Sequence, residues 1–117
     1  MLDRILGELV LAVRGASAAL FLDGEGEMIA RAGEAGIEIG LRGAWKEIHL
    51  DRIKEVSAGL HLGQVRAVLF SLDGGNELVT PVSQEYSLVL FLSPYSDLHQ
   101  AMSETERAID LILKDIT

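Results

Sequence analysis

Between Val65 and Leu92 three short apolar runs follow one another with almost no chain between them. That spacing leaves few ways to fold. Val65–Leu72, Glu77–Val82 and Tyr86–Leu92 are each strand-length, and Asp73-Gly74-Gly75-Asn76 between the first two is a hairpin turn, because glycine accepts the positive φ that tight turns demand. Strands joined this closely pair antiparallel, since a parallel pair needs a crossover of a dozen residues or more. Val65–Leu72 is nearly all apolar, as expected of a strand covered on both faces. Pro81 removes one backbone donor, so the second strand should end or bulge there, and Ser93-Pro94 breaks the third.

The rest of the chain supplies helices and one more hairpin. Leu2, Ile5, Leu6, Leu9, Val10 and Val13 recur at the spacing of one helical face, with Gly15 as a stop. Ala18–Leu22 and Met28–Ala30 flank an Asp23-Gly24 turn and read as two strands. Gly33, Gly36, Gly40 and Gly43 mark a loop into a middle helix that starts near Leu41 and closes at Gly63. Leu41, Trp45, Ile48, Val56 and Leu60 share one side of that helix, while Lys46, Glu47, Asp51, Lys54 and Glu55 point elsewhere. A final helix begins at an Asp97 N-cap, with Gln100 placed to reach back as in a capping box, and carries the stripe Leu98, Met102, Ile109, Ile112 and Ile116. The predicted order is α-β-β-α-β-β-β-α, an α+β chain built on a mainly antiparallel sheet with helices on both faces.

A chain of 117 residues is one domain, residues 1–117, with a single ordinary core. Hydrophobic residues make up 49% of it, more than so small a core needs, which points to apolar surface buried by a second chain. The net charge of −8 repels phosphate backbones and anionic headgroups, so nucleic acid and membrane surfaces are poor partners. Charges at Asp3, Arg4 and Glu8 break up the apolar N-terminal stretch, and no run approaches the length of a membrane span; the chain reads as cytoplasmic.

Catalytic and metal chemistry finds no footing. Asp23, Glu25, Glu27 and Glu34 fall at calcium-loop positions, but Met28 stands where that loop must have glycine, so the segment reads as a solvated hairpin. His49, His61 and His99 lack the i, i+4 pairing of helical zinc sites. The glycine-rich stretches match neither phosphate-loop nor dinucleotide patterns, and there is no nucleophile elbow. The chain therefore reads as a non-enzyme without metal or cofactor.

The middle helix and the third strand carry the functional signal. His49 and Arg52 fall within the arc of Trp45, Val56 and Leu60; a guanidinium in a dry core is costly, whereas Trp and Arg together are favoured interface anchors. Leu50, off this stripe beside Lys46 and Lys54, is expected to be an exposed apolar residue in a monomer. Trp45, His49, Leu50 and Arg52 are accordingly the expected partner-binding residues. With only two strands after it, Val65–Leu72 is expected at a sheet edge, where, with Arg66 as its only charge, it would invite pairing with a copy of itself across a two-fold axis.

The element order, the block Leu60-His-Leu-Gly-Gln-Val-Arg-Ala-Val-Leu-Phe-Ser-Leu72, the segment Glu77-Leu-Val-Thr-Pro-Val82 and the run Tyr86-Ser-Leu-Val-Leu-Phe-Leu-Ser-Pro94 before a long helix resemble the roadblock / dynein light chain domain. The resemblance covers almost the whole chain and rests on pattern, with no catalytic motif. It implies a five-stranded antiparallel sheet with the middle helix on one face and the terminal helices on the other. It also implies a homodimer through third strands paired edge to edge and middle helices packed antiparallel, an interface drawing on Trp45, Ile48, Arg52, Val65, Arg66, Ala67 and Val68. Bacterial and archaeal members often partner small Ras-like GTPases, and the gliding-motility regulators of this family activate theirs by remodelling it. No catalytic residue carries over, and Arg42 and Arg52 read as salt-bridging surface groups. The expected function is a homodimeric regulator or adaptor of a Ras-like GTPase. The alternatives are a scaffold subunit of a motility or signalling assembly and a small-ligand-sensing domain.

Overall fold

A computed structural model of the chain describes residues 1–34 and 37–116, without the side chains of 37–44 and 47. The elements are α1 (Leu2–Ala12), β1 (Ala16–Asp23), β2 (Met28–Gly33), α2 (Ile37–Gly59), β3 (Val68–Leu72), β4 (Gly75–Pro81), β5 (Tyr86–Leu92) and α3 (Leu98–Ile116), in the predicted order. The five strands form one sheet in the order β2-β1-β5-β4-β3, and every adjacent pair is antiparallel.

Alternation along the strands divides the core into two layers. Ala19, Phe21, Leu88, Leu90, Leu92 and Leu78 turn to one face, where Ile5, Leu6 and Leu9 of α1 and Ala101, Ala108 and Ile112 of α3 cover them. Ala18, Leu20, Leu22, Val79, Val89 and Phe91 turn to the other, where Leu50 of α2 meets them. The terminal helices therefore share one face and the middle helix has the other. Both central strands, β1 and β5, are sandwiched between layers and read in sequence as unbroken apolar runs.

Several boundaries differ from the sequence reading, each for a local reason. Helix α2 starts at Ile37, not near Leu41, and carries Gly40 and Gly43 within it. It stops at Gly59 without needing Gly63. The Leu62 amide donates to the Ser57 carbonyl at 3.0 Å and the His61 amide to that of Ala58 at 3.2 Å, while His61 itself takes φ 57°. This is the hydrogen-bond pattern of a Schellman stop with histidine in the left-handed position. At the start of α3 the Asp97 carboxylate accepts from the Gln100 amide at 3.1 Å, as predicted. The Gln100 side chain does not close a capping box; its Oε1 accepts from the Arg14 amide at 2.9 Å and ties α3 to the end of α1.

Strand β3 is shorter than Val65–Leu72 and is not covered on both faces: it lies at the sheet edge, with Leu69 and Leu72 exposed. Its ladder with β4 ends at Val68 opposite Val79. The Val82 amide donates to Tyr86 of β5, so the alternation of amide directions turns Val79 and Pro81 toward β3. Pro81 has no N–H to give there, and residues 63–67 leave the sheet as an irregular arm.

Candidate functional site: the outer face of the middle helix and the sheet edge

Helix α2 packs with the opposite logic from the one its hydropathy implies. Leu50, Ile53, Lys46 and Ser57, at i, i+4 and i+7 spacings, turn to the sheet, and Leu50 is 0% exposed. The expectation that Leu50 is an exposed partner-binding residue is thus incorrect for this chain: it is the helix's main contact with the second core layer. The arc that looked like a core stripe faces outward instead. Trp45 is 61% and Ile48 60% exposed, and His49, Arg52, Val56 and Leu60 are exposed beside them.

The reason lies beneath the helix. Glu77 of β4 points to the α2 face between its register partners Phe70 and Phe91 and is 1% exposed. A carboxylate so placed is costly unless a cation meets it, and the Lys46 ammonium lies 3.1 Å from its Oε2. Lys46 also spans the Phe70 ring, its Nζ 4.4 Å from the centroid. Lys46 does not point away from the packed side, as the sequence reading has it. The one signal in the sequence was a charged residue inside an apolar strand, two positions before Val79 and so on its face.

From Phe70 the contacts run outward. The His49 ring lies 6.0 Å from Phe70, and the Trp45 ring 6.2 Å from His49. This row joins the Trp45 side of the outer arc of α2 to Phe70 of the edge strand, and Ile48, Val56 and Leu60 are exposed along the same arc. Exposed apolar groups clustered in this way are a mark of protein contact sites. Arg52 is exposed at its margin, 4.0 Å from Glu55. Around β3, Val65 and Val68 are half-buried against the second core layer and Ala67 against the first. Arg66 is exposed and lies 3.7 Å from Glu106 of α3. The side chains of Leu41 and Arg42 lie outside the described residues.

Two other features bear on function. An open cleft of about 1180 Å³ separates the 63–67 arm from α3, with Leu78, Thr80, Thr105 and Ile109 among its lining residues. The hydroxyls of Thr80 and Thr105 are buried there without a hydrogen-bond partner. In the β1–β2 turn, the Asp23 carboxylate accepts from the amides of Glu25 and Glu27, both at 2.9 Å, and thereby holds the hairpin. Among the described residues no group of three or more His, Cys, Asp or Glu is placed to hold a metal ion. No helix among them is long and apolar enough to cross a membrane.

No protein-family model and no curated protein matches the chain. Solved structures do. A roadblock/LC7 domain from Streptomyces avermitilis superposes with TM-score 0.90 at 16% identity, over 97% of this chain and 96% of that one. The chain has the roadblock/LC7 fold. The roadblock-fold protein MglB of Myxococcus xanthus aligns with TM-score 0.88 at 14% identity, covering 98% of this chain and 94% of MglB. An MglB described as having a tetrameric arrangement aligns with TM-score 0.86 at 14% identity, over 97% and 85% of the two chains. At these identities the likeness speaks for the roadblock architecture alone.

Proposed function

We propose that this roadblock-fold chain acts as a non-catalytic homodimer that binds a small Ras-like GTPase. In this reading the α2 helices of two copies pack together, their β3 edges pair, and Trp45, Ile48, Arg52, Val65, Arg66, Ala67 and Val68 are covered. Trp45, His49 and Arg52 belong to the composite surface offered to the partner. The observation that supports it is the outward apolar arc of α2 lying beside an open strand edge. An aromatic within such a patch and an arginine at its margin are residue types enriched among the contacts that dominate interface energies. The resemblance to gliding-motility regulators supplies the GTPase, and with it a role in the cytoplasm that modulates nucleotide hydrolysis by remodelling the partner, with no residue inserted into its active site.

Sedimentation of the purified protein tests the first half: the expected result is a dimer. Trp45→Ala is expected to weaken it by about 2 kcal/mol or more, a roughly thirtyfold change, with little effect on the fold because the indole is mostly exposed. Titration against GTPases from the same genome, each loaded with GDP or a GTP analogue, tests the second half. Binding in neither state removes the GTPase, and binding without a change in turnover makes the chain a scaffold subunit.

A second reading rests on the cleft beside α3. Its buried, unpartnered Thr80 and Thr105 hydroxyls suit a small polar ligand, as a sensing domain requires. Thermal-shift screening with metabolites, repeated on Thr105→Val, separates this reading from the first.

A further inference from the structure

We propose that the buried Lys46–Glu77 pair sets the rotation of α2 about its own axis and so keeps Trp45, Val56 and Leu60 available to a partner. The proposal rests on the reading of that arc as a recognition surface. Hydrophobicity alone does not choose the face. Leu50 and Ile53 turn in, while Trp45, Ile48, Val56 and Leu60 turn out. A rotation of about a quarter turn would exchange the two sets. Among the described side chains, burial of apolar area would favour that exchange, since an indole and two aliphatic side chains would replace Leu50 and Ile53 on the sheet.

Glu77 opposes it. Its carboxylate sits on the floor that α2 covers, and Lys46 is itself only 14% exposed where it reaches down. Turning the helix would swing the ammonium to the flank and bring Trp45 over the carboxylate, parting the buried charge from Lys46. A buried ion pair adds little net stability over an apolar pair of similar size, yet heavily penalises any arrangement that separates its members. That asymmetry selects the packing that keeps the pair together over one that buries more apolar area. The Phe70 ring, contacted by Lys46 and His49, adds a second hold on the same rotation.

Trp45 is the only tryptophan in the chain, so its fluorescence reports the rotation directly. Acrylamide quenching is measured on the full chain diluted until it is monomeric, for wild type, Lys46→Leu/Glu77→Leu and the charge swap Lys46→Glu/Glu77→Lys. Self-association is measured in parallel by sedimentation. The double-leucine variant is expected to fold and melt no lower than wild type, with Trp45 quenching reduced at least twofold and association weakened at least tenfold. The swap is expected to recover both to within twofold of wild type. Wild-type quenching in the double-leucine variant, or a swap that recovers neither property, overturns the proposal. Lys46→Met/Glu77→Gln repeats the comparison with less change in shape. If neither neutral pair folds, the proposal is overturned, because the ion pair is then a requirement for folding and makes no choice between faces. A wild-type chain that never dimerises removes the self-association reading, while the quenching comparison still decides the rotation.

Discussion

His61 occupies a conformation that costs an L-residue of its size about 1 kcal/mol or more, and it does so to end a helix. Its φ of 57° lets the amides of residues 61 and 62 reach back to the last carbonyls of α2. Glycine adopts the same conformation freely, so His61→Gly is expected to stabilise the chain by about 0.5–1 kcal/mol, read as a higher urea midpoint at unchanged slope. Single residues were the least legible part of the sequence. Leu50 and Trp45 are five positions apart and equally apolar in kind. Which of them faces the sheet depends on Glu77, a residue distant along the chain, and no periodicity within the helix contains that information. The Gln100 side chain escapes local pattern for a similar reason, because the Arg14 amide that competes for it comes from the far end of the sequence.

At the scale of elements, turns and strands were legible and the ends of β3 were not. Tight turns and apolar runs are local properties, so β1, β4, β5 and α3 fall close to where the residues place them. The limits of β3 follow from Pro81 on its neighbour, whose missing donor only matters once register and amide direction are known. The same alternation directs the amides of Val68 and Phe70 to β4 and that of Leu69 to the open edge. Leu69→Pro is therefore expected to leave the β3–β4 ladder intact and to lower the melting temperature by only a few degrees, while removing an outward donor. On the reading proposed here it weakens dimerisation by tenfold or more in sedimentation, whereas Val68→Pro, which disrupts the ladder itself, destabilises the monomer.

For the whole molecule, element order was sufficient to find a mainly antiparallel sheet with helices on both faces, whereas the roadblock architecture came from the resemblance carried by that order together with Leu60–Leu72, Glu77–Val82 and Tyr86–Pro94. Of the surface proposed for a partner, Trp45, Ile48, His49 and Arg52 were named from the sequence and are exposed, whereas Leu50 was misplaced because its burial depends on the sheet beneath α2. If two copies share that surface, the melting temperature is expected to rise with protein concentration by several degrees over a hundredfold range, and to become constant in the Trp45→Ala variant at the same concentrations. The core layer under α1 and α3 also joins the two ends of the described chain: Leu6 and Leu9 close against Ala101, Ala108 and Ile112, and β1 pairs with β5. A nascent polypeptide emerging from the ribosome holds the first half of that layer long before the second exists. Completion of this layer during synthesis must then wait for α3, and α1 with β1 will need shelter from premature association until then.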